Sequence, residues 1–229
     1  MKYKIIAHRG INHKTYGENT YLSLKKALYQ SNIEGIEFDI RLTKDNKIVI
    51  CHDSNITRVS NGNVIIEHKT LKELKQYNFG KKIYQTIPTL DKILDINSNK
   101  LFLIEIKTNH NEKIFANILY KYLINYKDKN IYIMSFNKKV LNYLKKIDNT
   151  LNIGIIYLFK RNIKLKYNFY CINHNFITKK LKDKILNKHK QLFLWTINSN
   201  NDIKNLKNKL TNLNNIYLIM DINSQFYTF

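Results

Sequence analysis

The stretch Gly35-Ile36-Glu37-Phe38-Asp39-Ile40-Arg41-Leu42 decides the fold. Glu37 and Asp39 are two apart, so on a β-strand both project to one face. The residues around them are apolar on both sides, as in a parallel strand covered front and back. Seven further runs share that character: Lys4–Ala7, Leu101–Ile106, Ile131–Phe136, Ile153–Phe159, Phe169–Ile172, Leu192–Ile197 and Ile216–Met220. Between them lie amphipathic segments. Phe115, Ile118, Leu119, Tyr122, Leu123 and Tyr126 share one helical face; Val140, Leu141, Leu144 and Ile147 share another, as do Ile203, Leu206 and Leu210. Eight strands alternating with helices predict an α/β fold, a (β/α)8 TIM barrel, in a single domain over residues 1–229. Alternation alone also admits an open doubly wound sheet.

Two irregularities are expected. Residues 43–90 read as an insertion after the second strand, with an extra strand at Lys47–Cys51, a turn at Asn61-Gly62-Asn63 and a helix near Leu71–Tyr77. Nine residues follow Met220, which predicts a truncated last helix. Phe226, Tyr227 and Phe229 are then expected to fold back over the seam beside Tyr21, Leu24 and Leu28. That reading turns Ile216, Leu218 and Met220 to the interior and Tyr217 and Ile219 outward.

Composition bounds the function. The chain has 229 residues, 44% of them hydrophobic, which suits an ordinary globular core. Lys+Arg total 39 against 17 Asp+Glu, a net charge of +22. Such a charge suits nucleic acid, an anionic surface or a phosphorylated small molecule. Arg stands only at Arg9, Arg41, Arg58 and Arg161, and the lysines are spread along the chain rather than clustered. Abundant Lys, Asn, Ile and Tyr also fit an A/T-rich genome. Cys51 and Cys171 lie in apolar runs without ligand spacing and read as buried thiols of a reducing compartment. No run approaches the ~20 apolar residues of a membrane span. With only seven residues before the first polar motif, a cytoplasmic location is expected.

In a parallel barrel, chemistry sits at the carboxyl ends of the strands. The polar residues gather there: His8-Arg9-Gly10, Glu37 and Asp39, Glu105 and Lys107, Ser135, Trp195 and Asn198, and Asp221. Neighbouring carboxylates in an apolar strand repel each other and resist burial. A hard divalent cation, Mg²⁺ or Ca²⁺, is the natural reason to place Glu37, Asp39 and Glu105 together. The competing reading is a salt-bridge cluster with Arg9, Arg41 or Lys107. His8 and His52 can divide base and acid duties beside those carboxylates. His13, His68, His110, His174 and His189 read as surface or structural. Arg9 and Lys107 add fixed positive charge suited to an anionic substrate such as phosphate.

Together these residues resemble the glycerophosphodiester phosphodiesterase family. The motifs are His8-Arg9-Gly10, Glu18-Asn19-Thr20, Glu37-Phe38-Asp39, His52-Asp53, Glu105-Ile106-Lys107, Ser135-Phe136 and Trp195-Thr196-Ile197-Asn198, in the family's order. The resemblance implies a TIM barrel with a small insertion after its second strand. It implies a metal on Glu37, Asp39 and Glu105, acid–base work by His8 and His52, phosphate held by Arg9 and Lys107, and a glycerol wall at Trp195. Glu18-Asn19-Thr20 is expected to organise the loop before the first helix. The implied reaction splits a glycerophosphodiester into glycerol 3-phosphate and an alcohol, linking lipid and glycerol metabolism. By analogy with related barrels, the neighbouring glycerol hydroxyl attacks phosphorus and water later opens a cyclic phosphate. The family's last strand usually ends Thr-Asp-x-Pro; here Met220-Asp221-Ile222-Asn223 keeps only the Asp. Two alternatives stand beside this reading: a lysophospholipase D-like enzyme on the same barrel, and a basic nucleic-acid-binding protein. The partner is expected to be a small molecule, with no specific nucleic acid and no stable membrane insertion, acting on a monomer or a dimer.

Overall fold

The computed structural model describes residues 3–108, 110–159 and 163–222. Its strands are β1 (Lys4–Ile11), β2 (Gly35–Leu42), β3 (Ile48–Ile50), β4 (Leu101–Ile106), β5 (Ile131–Ser135), β6 (Ile153–Tyr157), β7 (Phe169–Asn173), β8 (Gln191–Ile197) and β9 (Ile216–Ile222). All but β3 run parallel, and β1 pairs with both β2 and β9. That double pairing closes an eight-stranded barrel and excludes the open sheet. β3 lies antiparallel on the far end of β2, Ile40 opposite Ile50.

Helices clothe the barrel. α1 (His13–Tyr16) and α2 (Tyr21–Leu28) follow β1; α3 (Leu71–Leu74) and α4 (Leu90–Leu94) precede β4. α5 (Glu112–Leu123), α6 (Lys138–Ile147), α7 (Lys179–Leu186) and α8 (Asn200–Leu210) follow β4, β5, β7 and β8. Their starts are written in the sequence. Thr20, Asn137 and Thr178 cap α2, α6 and α7 with their side chains, and Ser199 with Asp202 forms a capping box on α8. Phe115, Ala116, Leu119 and Leu123 of α5 are buried, as are Val140, Leu141 and Leu144 of α6.

Two apolar layers result. Ile36, Phe38, Ile40, Phe102, Ile104, Leu192 and Leu194 face outward into the layer shared with the helices. Ile6, Leu101, Leu103, Met134, Ile156, Phe169, Cys171, Phe193 and Ile219 fill the interior. The last strand therefore faces opposite to the expectation above. Ile216, Leu218 and Met220 pack outward with the helices, while Ile219 and Tyr217 point inward, Tyr217 stacked on Phe193 at 4.4 Å. The reason is parity: Asp221 reaches His8 inside the barrel mouth, and Tyr217 and Ile219 share its face. The truncated helix and aromatic tail, residues 223–229, lie outside the described residues.

Residues 43–90 carry β3, single helical turns at Ile56–Arg58 and Ile66–His68, and α3. They enclose a small core of their own, built by Val49, Cys51, Ile56, Val59, Ile66, Leu74, Phe79 and Ile87. Both thiols, Cys51 and Cys171, are free and buried.

Glycine makes room inside the barrel. A Cβ on Gly154 of β6 would stand 2.2 Å from the ring of Phe169, which is fully buried. That ring has nowhere to go. Gly154→Val is expected to destabilise the fold by about 1–3 kcal/mol through overpacking, read by urea denaturation. An unchanged midpoint would mean that the ring moves aside.

Candidate active site

Register assembles the site at the carboxyl ends of the strands. His8 of β1 lies opposite Glu37 of β2, and Asp39 lies opposite Glu105 of β4. Glu37, Asp39 and Glu105 are all buried, and one carboxylate oxygen of each lies within 4.8 Å of the others. Burial and the neighbouring charges of Asp39 and Glu105 push Glu37 well above the usual carboxylate range. Burial beside Asp39 pushes Glu105 up to about 7. Asp39 goes the other way. Its burial is outweighed by Lys107 and Arg9, aided by His52 and a hydrogen bond from Asn19, so it stays ionised.

The cations are placed by the backbone. Arg9 sits in the left-handed region at φ 55°, next to Gly10 at φ 89°. A Cβ on Gly10 would meet Ser23 Oγ at 2.3 Å, so only glycine fits there. The turn brings Arg9 Nε to 3.2 Å from Asp39 and Arg9 Nη1 to 2.8 Å from Glu18, while the Arg9 N–H donates to Glu37 at 3.3 Å. Lys107 Nζ lies 3.2 Å from Asp39 and 2.5 Å from Glu105. The expected salt-bridge cluster and the expected carboxylate cage are thus one object, with three acids facing two bases. Asp39 Oδ1 and Glu105 Oε1 are buried, and the partner they share among the described residues is the Lys107 ammonium. Three oxygen donors with spare lone pairs and one uncompensated charge fit a hard divalent cation better than Zn²⁺.

Each expected catalytic histidine is held by its own acid. His8 Nδ1 meets Asp221 Oδ1 at 2.6 Å, and His8 Nε2 lies 3.9 Å from Glu37. His52 Nδ1 meets Asp53 Oδ1 at 2.6 Å. Burial, reinforced by Arg9 and Lys107, holds His52 below the usual imidazole range despite Asp39 and Asp53. Arg41 fixes the same loop by donating to the His52 carbonyl at 2.8 Å.

Six of these groups face one cavity of about 240 Å³. His8, Arg9, Glu37, His52, Glu105 and Lys107 form its polar side, and Met134, Phe136, Ile156, Trp195 and Ile219 its apolar side. Trp195 meets Phe136 edge-on at 5.7 Å, and its buried Nε1–H has no hydrogen-bond partner among the described residues. The His174 N–H donates to the Trp195 carbonyl at 2.9 Å.

Comparison with known proteins now decides the family. The model of the glycerophosphoryl diester phosphodiesterase family matches residues 8–211. The chain belongs to this family. That membership makes the protein an enzyme, a phosphoric diester hydrolase. A glycerophosphodiester phosphodiesterase of Caldanaerobacter subterraneus is 34% identical over 69% of this chain and 68% of its own. An uncharacterised Mycoplasma genitalium protein is 32% identical over 87% of this chain and 88% of its own. Among solved structures, a phosphodiesterase of Oleispira antarctica, bound to its product sn-glycerol 3-phosphate, superposes with a TM-score of 0.85 at 26% identity. That match covers 95% of this chain and 92% of the other.

Several site residues escaped the sequence reading. Asn19 donates to Asp39 at 2.9 Å, and the Asp39 N–H donates back to Asn19 Oδ1 at 3.4 Å, so the Glu18-Asn19-Thr20 loop enters the site. Arg58 clamps Glu18 with two bonds of 2.6 and 2.8 Å and reaches Asp53 at 2.6 Å. His13 is half-buried near Asp221, Glu18 and His8, a structural position within the expectation, and burial lowers its pKa. Conversely, Ser135 donates to the Ile106 carbonyl at 2.8 Å, and neither it nor Asn198 lines the cavity.

The Arg9–Glu18–Arg58 cluster has an acid signature. Glu18 is lowered from 4.5 to about 2, its burial being outweighed by Arg58 and Arg9. A depressed carboxylate stabilises the fold fully above its unfolded pKa and loses that contribution as pH falls through the folded value. Stability measured by urea denaturation should therefore decline between about pH 4.5 and pH 2. Arg58→Ala should bring the folded-state value of Glu18 back toward 4.5, so the decline should be smaller and end at higher pH; an identical profile would show the clamp to be idle.

Proposed function

We propose that the protein hydrolyses glycerophosphodiesters to glycerol 3-phosphate and an alcohol, with His8 and His52 as the acid–base pair. The observation that carries this is the pair of histidine–carboxylate couples at one cavity. Asp221 and Asp53 each take a histidine Nδ1 at 2.6 Å, which fixes the tautomer and leaves Nε2 for the cavity that both rings line. One imidazole then accepts the proton of the attacking hydroxyl as its oxygen bonds to phosphorus. The other donates a proton to the leaving alkoxide as its P–O bond breaks, and water, with the two roles exchanged, then opens the cyclic phosphate to glycerol 3-phosphate. Asp221 and Asp53 stabilise whichever ring carries the charge, as a buried carboxylate does beside an imidazolium.

Glu37, Asp39 and Glu105 would hold one divalent cation, Mg²⁺ or Ca²⁺. Bound there, it would polarise the phosphoryl oxygens and stabilise charge building on them. Arg9 and Lys107 complement the phosphate's remaining charge from the polar side. Trp195, with its unpartnered Nε1–H, walls the side where the glycerol moiety lies. His8 on β1 neighbours Glu37 on β2, so one couple adjoins the carboxylates directly, and the Oleispira antarctica relative, which holds sn-glycerol 3-phosphate, supports the substrate class. A nucleic-acid-binding reading accounts for the charge but leaves three buried carboxylates without a purpose.

The same reading takes residues 1–229 as one domain in which 43–90 is an insertion that carries His52. Two free buried thiols support a reducing compartment, and we place the enzyme in the cytoplasm. No helix among the described residues is long and apolar enough to cross a membrane.

The test is direct. Glycerophosphocholine and glycerophosphoethanolamine are incubated with the enzyme, with and without chelator and added Mg²⁺ or Ca²⁺, and products are identified. Glycerol 3-phosphate should form only with metal. His8→Ala and His52→Ala should each lower kcat at least ~10²-fold, with kcat following a bell-shaped pH profile that belongs to the coupled pair. Full turnover in excess chelator would overturn the metal role, and an effect at only one histidine would overturn the pairing. Asp221→Asn and Asp53→Asn should lower kcat more than they raise KM, because they disturb proton transfer rather than substrate binding.

A further inference from the structure

Large apolar side chains stand exposed around the mouth of the cavity. Phe136 follows β5, Leu158 and Phe159 follow β6, and Phe176 follows β7, with exposures of 48, 48, 69 and 50%. These three strands are consecutive neighbours, so the side chains crown one sector of one end of the barrel. The Phe159 and Phe176 rings touch at 5.9 Å, and Phe136 packs against Trp195 in the cavity wall. Exposed apolar groups gathered at a functional mouth mark an interaction surface.

The charge beside them is specific in place. α6 opens with Lys138 and Lys139, and α7 with Lys179 and Lys180; all four are exposed, and neither helix has an acid in its first turn. The helix dipole disfavours cations at those ends. Propensity therefore does not explain two lysine pairs at the same end of the barrel as the aromatic crown. A partner that is both anionic and apolar does.

We propose that this sector docks on an anionic lipid surface, the aromatic crown entering the headgroup boundary and the lysine pairs resting on lipid phosphates. Peripheral membrane binding combines these two contributions, apolar burial and polybasic attraction. Nucleic acid fits less well. The crown includes an aliphatic Leu158, and its two most exposed rings pack on each other rather than standing apart as stacking platforms. The docking does not rest on the hydrolytic reading. Delivery of bilayer-borne diesters to the cavity, its corollary, does.

The full chain is tested by co-sedimentation with phosphatidylglycerol and phosphatidylcholine vesicles at several salt concentrations. It should bind the anionic vesicles and not the zwitterionic ones, less tightly as salt rises. F159S/F176S should weaken binding at least about tenfold at every salt, and K179E/K180E by a similar factor chiefly at low salt. Both variants should hydrolyse glycerophosphocholine like the parent and melt at the same temperature. Trp195 is the chain's one tryptophan, so brominated phosphatidylglycerol should quench its fluorescence in the unsubstituted protein. Absence of anionic-vesicle binding, binding indifferent to F159S/F176S, or bound protein whose Trp195 is not quenched would each overturn the proposal. So would displacement from vesicles by an oligothymidylate whose own binding F159S/F176S abolishes. Loss of glycerophosphocholine hydrolysis in every form, with docking intact, would count against the hydrolytic reading alone.

Discussion

Burial of Glu37, Asp39 and Glu105 within 4.8 Å of one another is the constraint around which this barrel is arranged. Desolvating one carboxylate is costly, and desolvating three side by side adds mutual repulsion. The fold offsets this from several directions. Arg9 reaches Asp39 from the turn after β1, Lys107 spans Asp39 and Glu105 from just beyond β4, and Asn19 grips Asp39 from the loop before α2. Two cations against three acids leave one charge over. At Glu37, burial and the charges of Asp39 and Glu105 outweigh Arg9 and Lys107, and its carboxyl is raised toward protonation. A bound divalent cation would reverse that imbalance, and so the cluster is read as a cage rather than as an internal salt bridge.

From that centre, charge-assisted hydrogen bonds run outward and fix the histidines proposed for acid–base work. Asp39 holds Arg9, Arg9 holds Glu18, Glu18 holds Arg58, Arg58 holds Asp53, and Asp53 holds His52. Such bonds are among the stronger polar contacts in proteins. The sequence of pairs matters because His52 does not sit on a barrel strand. It stands beyond β3, on a segment with its own small core, and these pairs tie that segment to the turn after β1 and the loop before α2. His8 needs no such chain. It belongs to β1, directly opposite Glu37, and Asp221 reaches it from the adjacent β9.

What the sequence revealed and concealed follows from the range of the interactions. Strand periodicity located the eight barrel strands, and Glu37 and Asp39, two apart on one strand, pointed to the cage without knowledge of the fold. Neighbouring pairs such as His52-Asp53 were legible for the same reason. The His8–Asp221 couple was not, since 213 residues separate its members and only barrel closure joins them. Arg58 was hidden likewise, since it acts on residues from other loops and carries no local pattern; Asn19 was legible within Glu18-Asn19-Thr20, but its bond to Asp39 was not. The facing of β9 was misread because an alternating apolar strand covered on both sides gives no internal sign of which side is the core. The position of Asp221 supplies that sign once its partner is known.

The distribution of charge completes the argument. Six of the chain's 17 acids, Glu18, Glu37, Asp39, Asp53, Glu105 and Asp221, belong to this one network. The other eleven are spread over a chain that carries 39 basic residues. A pocket in which Arg9 and Lys107 offset most of the charge of three buried acids presents little negative potential to a distant ligand, while the basic surface presents a positive one. An anionic diester is therefore drawn by the exterior toward a site whose own carboxylates would repel it if they stood unpaired. Compositional drift toward lysine would account for the exterior charge alone. It does not account for the concentration of acids at the strand ends, which requires a site where negative charge is needed and held in check.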